Sequence, residues 1–308
     1  IRCIMDKKAG VFYPDPGFPT YGSVIKYNDM NGYSYHPYNP KKFKEIRKLC
    51  ELDRQRKNKY SPLKLIISNS PGNPMGNIFC EEETYELYEL AKDNNLFILS
   101  DEVYSKIIYK GLHYSPTIYD QCKERTILLQ SFSKLYSVSG FRLGYCIGPK
   151  ELIKKMGLLL ETIISCVPPF IQKAGAAVLD NDLFRSLHIP QLIMDLKCRR
   201  NFLVNGLNAI PGFICPLPEG AFYVWCNIKN TEYSDLELAD LLLDEAGVAC
   251  LPGRYFGRNG IGYLRFCFAS VTIEKIEKAL EQIIGVFKLE RKFTRERKEK
   301  LNGNNEMV

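Results

Sequence analysis

The sequence predicts an α/β protein: a large domain with a central, mostly parallel sheet covered by helices, followed by a smaller C-terminal α/β domain. Three observations carry this. From Leu63 onward, short apolar runs alternate with longer amphipathic ones, the rhythm of parallel strands joined by crossover helices. The strand-like runs are almost continuously apolar, as strands buried on both faces of a sheet must be. After Pro190 the rhythm changes to one long helical pattern, then Pro- and Gly-marked turns and shorter strands.

The elements follow in order. Leu63 to Ser68 reads as a strand, Glu81 to Asn95 as a helix and Leu96 to Ser100 as the next strand. Thr126 to Gln130 and Leu143 to Ile147 read as two more buried strands, and Pro149 to Thr162 opens a further helix. These belong to a large domain over residues 1–190. A small domain over 191–290 holds a helix from Gln191 to Asn208, turns from Pro211 to Gly220 and a strand from Ala221 to Asn227. It continues with a helix from Asp235 to Gly247, strands at Val248 to Leu251 and Tyr263 to Phe268, and a last helix from Thr272 to Lys288 with Thr272 as its N-cap. Residues 291–308 form a polar tail, frayed from Asn302 to Val308.

Composition narrows the classes. With 308 residues, 45% of them hydrophobic, the chain buries a large core, which excludes a disordered or fibrous protein. The net charge of +7 is spread along the chain, and the stretch from Glu290 to Lys300 mixes both signs, so no nucleic-acid partner is inferred. Eleven cysteines, an odd number without CxxC spacing, read as reduced and mostly buried thiols in a cytosol-like compartment. His36, His113 and His188 lie far apart without ligand spacing, so no metal site is expected. The most apolar stretch, Gly157 to Ile171, is broken by Glu161, Pro168 and Pro169 and falls short of the ~20 residues of a membrane span. A soluble, cytoplasmic protein without a membrane partner is expected. The chain begins at Ile1, inside a structured-looking segment, so a preceding N-terminal part is expected, and any targeting segment would lie there.

The residues that carry chemistry sit at strand ends, where open α/β sheets bind ligands. Just past Thr126 to Gln130 come Ser131, Phe132, Ser133 and Lys134, then Gly140, Phe141, Arg142, Leu143 and Gly144. A lone loop lysine is ordinarily a solvated charge. Lys134 instead has a hydroxyl before it and a guanidinium after it, and Arg is the side chain that clamps phosphate bidentately. Past Leu63 to Ser68 comes the turn Ser70, Pro71, Gly72, Asn73, Pro74, Met75, Gly76, which aims an amide, although a bland tight turn explains its Pro and Gly equally well. Past Leu96 to Ser100 come Asp101, Glu102, Val103 and Tyr104; Asp101 taken alone could simply cap a helix. Arg199 and Arg200 read as a solvated helix face, and Gly257, Gly260 and Gly262 precede a strand, so they are not a dinucleotide loop.

In these segments the chain resembles the class I and II aminotransferases of the aspartate aminotransferase superfamily. Ser131 to Gly144 fits that family's lysine signature, and the Asn73 turn, Asp101 with Tyr104, and Arg265 in Leu264, Arg265, Phe266 follow in the family's order. The resemblance runs from about Tyr13 to Lys288. It implies a fold type I enzyme dependent on pyridoxal 5′-phosphate, which moves an amino group from an L-amino acid to a 2-oxo acid with ping-pong kinetics. Lys134 would carry the cofactor as an imine and shuttle the proton, Asp101 would pair with the pyridinium nitrogen, and Asn73 and Tyr104 would bond the phenolic oxygen. Ser131, Ser133 and Arg142 would bind the cofactor, Ser131 and Arg142 at its phosphate, and Phe18 would stack on its ring, although core packing explains a single Phe nearly as well. Arg265, with Asn73, would hold the substrate, Arg265 through its α-carboxylate. The resemblance also implies a homodimer, with a phosphate-cradling loop, an N-terminal arm and a tyrosine from the neighbouring subunit contributed from before Ile1. Lyase or decarboxylase chemistry on the same scaffold, or a cofactor-binding effector module of a transcription regulator, are the alternatives. The identity of the amino acid is not legible.

Overall fold

The computed structural model describes residues 1–5, 7–55 and 62–287. By internal contacts the chain forms two units. Unit 1 comprises Ile1–Asp195 with two later returns, Pro218–Phe222 and Phe256–Asn259; unit 2 comprises Leu196–Leu217, Tyr223–Tyr255 and the chain from Gly260 onward.

Unit 1 is built in the order β1 (Gly10–Pro14), α1 (Pro19–Tyr27), β2 (Asn31–Tyr35), α2 (Lys42–Gln55), β3 (Leu63–Asn69), α3 (Glu81–Asp93), β4 (Phe97–Asp101), α4 (Thr117–Asp120), β5 (Thr126–Ser131), α5 (Phe132–Leu135), β6 (Gly144–Ile147), α6 (Lys150–Ile164) and α7 (Pro169–Leu179). Helix α8 (Ile189–Asn208) starts in this unit and continues into the next. The strands form one sheet in the order β2-β1-β3-β4-β5-β6, every pair parallel except β5 with β6. The alternation of β3 shows why its sequence is apolar throughout. Ile66 faces a core with Phe12, Ile98, Phe43 and Ile46 of α2, and Leu87 and Leu90 of α3. Leu65 and Ile67 face the opposite core, with Val11 and with Tyr21 and Ile25 of α1.

Unit 2 carries β7 (Tyr223–Asn227), α9 (Asp235–Asp244), β8 (Leu251–Pro252), β9 (Tyr263–Cys267) and a helix over 273–287, here α10. Its strands form an antiparallel sheet in the order β7-β9-β8. Ser234 caps α9 by accepting from the Glu237 N–H, while Glu237 accepts from the Ser234 N–H. Asp235 is wholly buried and takes both Nε and Nη2 of Arg254. Burial alone would raise its carboxyl, but the guanidinium and N–H of Arg254 hold it below the ordinary value. Gly206 lets α8 lie close to α10, since a Cβ there would stand 2.2 Å from Leu280 Cδ1.

Four expectations need correction. The strand at residues 143–147 is not buried: it is the antiparallel edge strand β6, and Tyr145 and Ile147 are exposed. The run from Val248 to Leu251 yields only the two-residue β8, Leu251–Pro252, with residues 248–250 outside the ladder. Arg200 does not lie on a solvated face; it is buried on the inner side of α8 and bonds Asn201 Oδ1, while Arg199 donates to Ala269 O at 2.9 Å. The eleven thiols are all free, but only Cys50, Cys122, Cys215 and Cys226 are buried. Thr272 does receive the Lys275 N–H at the start of α10, whereas Lys288 and the tail 291–308 lie outside the described residues. Among the described residues no helix is long and apolar enough to cross a membrane.

Because Ile66 is fully enclosed, Ile66→Ala is expected to lower stability by ~2–5 kcal/mol, seen as a lower urea midpoint for unit 1 with little change in slope.

Candidate active site

The register of the sheet sets the site. Asn69 pairs with Asp101, and Asp101 with Leu129, so the carboxyl ends of β3, β4 and β5 finish side by side. Asp101 Oδ2 accepts the Tyr21 hydroxyl at 2.5 Å, and Oδ1 accepts the Val103 N–H at 3.4 Å. Tyr21 is placed by the first turn of α1, which begins at Pro19, a residue suited to that position because its missing N–H would find no helical partner there. Burial raises the Asp101 carboxyl above the ordinary carboxylate value; the Tyr21 hydroxyl and the Lys134 charge oppose this, and the Glu102 charge adds to it. Burial and the same carboxylate push the Tyr21 hydroxyl well above a free phenol.

The Asn73 turn is tied to the same strand end. Asn69 Nδ2 donates to Asp101 O at 2.9 Å, and its Oδ1 accepts the Asn73 N–H at 2.8 Å. Gly76 closes the turn with φ 69°, and a Cβ there would stand 2.5 Å from Pro218 Cβ. Through this close approach Pro218–Phe222 returns to unit 1, where Ala221 N donates to Ile107 O and Tyr109 donates to Ala221 O.

Lys134 projects from the one-turn helix α5, whose N-cap Ser131 accepts the Ser133 N–H at 3.1 Å. Its Nζ lies 5.9 Å from the Tyr104 ring centre and 5.8 Å from that of Phe222, and the two rings meet edge to face at 5.2 Å. Arg142 follows a short 3₁₀ turn in a left-handed conformation, φ 52°, donates to Ser139 O and stays exposed. A cavity of about 440 Å³ is lined by Asp101, Ser131, Ser133 and Arg142, with Val103 and Tyr145 beside them. Phe18 is exposed and meets Tyr21 edge on at 5.7 Å.

Unit 1 thus gathers Lys134, Asp101, Tyr104, Asn73, Ser131, Ser133, Arg142 and Phe18 around one sheet edge. Arg265 belongs to unit 2, on β9 opposite Trp225, with its guanidinium 4.3 Å from the Tyr223 ring centre.

Several contributors were not singled out from the sequence. Tyr21 carries a signal, lying three positions after Phe18 on one helix turn, but its target is only visible once α1 is folded. Asn69 and Phe222 act through long-range contacts. Glu102 points into a separate buried network: its Oε1 accepts Ser100 and Ser115, and Oε2 lies 2.7 Å from His113 Nε2. That network fixes the backbone directly after Asp101.

A carboxylate, two hydroxyls and a guanidinium line the cavity, and the Lys134 amine and the Asn73 turn leave the same strand ends; these group types match the ring nitrogen, phosphate, aldehyde and phenol of pyridoxal phosphate. A family model for aminotransferase class I and II matches residues 1–283. The chain belongs to this family. It is 35% identical to a probable aspartate aminotransferase of Methanocaldococcus jannaschii, over 93% of this chain and 73% of that protein. It is 31% identical to aromatic-amino-acid aminotransferase 2 of Thermococcus litoralis, over 90% and 70%. An aromatic aminotransferase structure from Pyrococcus horikoshii superposes with a TM-score of 0.82 at 29% identity, over 94% of this chain and 76% of that one. The protein is therefore a pyridoxal-phosphate-dependent aminotransferase of fold type I, acting on amino acids and 2-oxo acids.

The raised Asp101 carboxyl has a measurable sign. The folded state binds its proton more tightly than the unfolded state, so the ionised group costs stability above the folded pKa and nothing below the ordinary carboxylate range. In cofactor-free protein, Asp101→Asn is expected to raise Tm at neutral pH, with the gain vanishing as pH falls through that window. Melting curves that coincide at every pH would contradict it.

Proposed function

We propose that Lys134, Asp101, Tyr104, Asn73, Ser131, Ser133, Arg142 and Phe18 form the cofactor site of this aminotransferase, and that Arg265 and Asn73 hold the amino-acid substrate. The observation that carries this is Asp101: a partly buried carboxylate at a strand end, bonded to Tyr21 and within the field of the Lys134 ammonium. When bound, pyridoxal phosphate supplies an aldehyde that takes up the amino group and a ring that accepts electron density from Cα.

The chain's own groups do the rest. Lys134 Nζ would hold the cofactor's aldehyde and, as a free amine, would take the proton from the substrate's Cα and give it back. The Asp101 carboxylate would hold a proton on the ring nitrogen, and the Tyr21 hydroxyl bonded to its Oδ2 fixes its orientation. Tyr104, packed edge on to Phe222, and Asn73, pinned through Asn69, donate to the phenolic oxygen. Ser131, Ser133 and Arg142 bond the phosphate, and Phe18 covers the ring face. Arg265 grips the α-carboxylate through two parallel N–H bonds, a geometry Lys cannot reproduce. Amino acid and 2-oxo acid react in turn at this one site, so initial-rate plots at fixed co-substrate run parallel. The working form is a cytoplasmic homodimer.

The test is spectroscopic. With pyridoxal phosphate, the purified chain is expected to develop a visible band that Lys134→Ala abolishes and that an amino-acid mixture bleaches. Lys134→Ala should also lose at least about 10²–10⁴ in turnover, the typical contribution of a positioned acid–base. Arg265→Lys should retain the band yet lose about 10- to 150-fold in kcat/KM, from ~1.5–3 kcal/mol of charged hydrogen bonding. A band indifferent to Lys134 overturns the assignment.

A further inference from the structure

Two thiols outside the cofactor site face one another in unit 2. Ile214 and Asn227 exchange both backbone hydrogen bonds, each 2.9 Å, as an isolated antiparallel bridge at the outer edge of β7. The next residues along the ladder, Cys215 and Cys226, are therefore directly opposite in a non-hydrogen-bonded pair, the class with the closer backbones, about 4.5 Å between Cα atoms. Disulfides span Cα separations of about 4.4–6.8 Å, so the backbone already has the required spacing. Pro216 cannot donate to extend the ladder, and Asn208 fixes Cys215 instead, accepting its N–H at 2.7 Å and donating to its carbonyl at 2.9 Å. The side chains lie on the same face of this pair, the geometry that brings their sulfurs together. Cys226 is 0% exposed and Cys215 4%.

We propose that Cys215 and Cys226 are a reversible oxidation site that closes into an intramolecular disulfide when the protein meets a hydroperoxide. Hydrogen peroxide is small and uncharged enough to reach a nearly enclosed pair, and Cys215 is the more accessible member. In the first step an S–O bond forms at Cys215 as the O–O bond breaks, giving a sulfenic acid and one water. In the second, the Cys226 sulfur attacks the Cys215 sulfur; the S–S bond forms as the S–O bond breaks, and the hydroxyl leaves as water with the Cys226 proton. The two sulfurs together lose two electrons and the peroxide gains them. A free dithiol reverses the change by exchange. Burial and the neighbouring Cys215 sulfur hold the Cys226 thiol well above its ordinary pKa, which makes it the resolving partner and not the first to react. Cys250, the next thiol in this cluster, is pushed up by burial to about 12 and sits outside the bridged pair.

The location gives the bond a consequence. Both cysteines belong to unit 2, while Pro218–Phe222 between them belongs to unit 1 and brings Phe222 to Lys134. The disulfide would fasten the outgoing and returning strands of that excursion at their base.

The test uses the full wild-type chain, treated with hydrogen peroxide until the exposed Cys198 is oxidised, then alkylated and digested. Residues 201–229 contain no Lys or Arg before Lys229, so trypsin releases both cysteines in one peptide, and cleavage after Glu219 separates them. The expected result is that most of this peptide lacks two hydrogens, takes no alkyl group, and stays joined after cleavage at Glu219 until dithiothreitol is added. Cys226→Ala should leave a Cys215 sulfenic acid that dimedone captures. Free alkylation of both thiols, their separate oxidation to sulfinic acids, or a bridge to Cys250 would each overturn the proposal.

Discussion

The parallel register of β3, β4 and β5 is the constraint on which the site rests. Because Asn69, Asp101 and Leu129 are laterally aligned, the carboxylate, the Asn73 turn and the α5 lysine leave the sheet at one edge. A slip of one residue would turn Asp101 to the opposite face and send Leu65 and Ile67 into the wrong core. The two apolar cores on either face of β3 make that slip costly, so packing remote from the chemistry sets its geometry.

Electrostatics then divide the work between neighbours. Asp101 and Glu102 are consecutive carboxylates pointing to opposite destinations. Glu102 is satisfied by two serines and His113, leaving it structural. Asp101 keeps a single strong side-chain donor, Tyr21, so capacity remains for a cationic ring nitrogen. The burial that raises the Asp101 carboxyl also strengthens its attraction to a positive group, as the opposing effect of the Lys134 charge shows.

Much of this was legible in the sequence because it is local. The strands β3, β4 and β5 were visible as apolar runs, and Lys134, Asp101 and Asn73 could be placed at their ends. What the sequence withheld is what depends on distant partners. Tyr21 meets Asp101 across 80 positions, and nothing near either residue announces the other. Phe222 reads as the start of a strand, yet it belongs with Pro218 to unit 1. The exposure of β6 was hidden because an edge strand and a central strand share composition when both are short and apolar. Arg200 looked solvated because one buried, hydrogen-bonded guanidinium breaks the rule that arginine lies outside.

The late return of Phe256–Asn259 to unit 1 bears on how the protein is made. Asn259 donates its N–H to Asp15, and Gly17 donates to Phe256 O, so contacts separated by some 240 positions seal the first strand and helix of the chain. A ribosome delivers the N-terminal end first, and domains generally fold as they emerge. Here the larger unit can assemble its sheet early but gains the ring beside Lys134 only with Phe222, and completes its rim only with Phe256–Asn259. Until the chain has been made as far as Phe222 and then Phe256–Asn259, Lys134 lacks the ring that comes to lie 5.8 Å from its amine, and the first helix lacks its late partners.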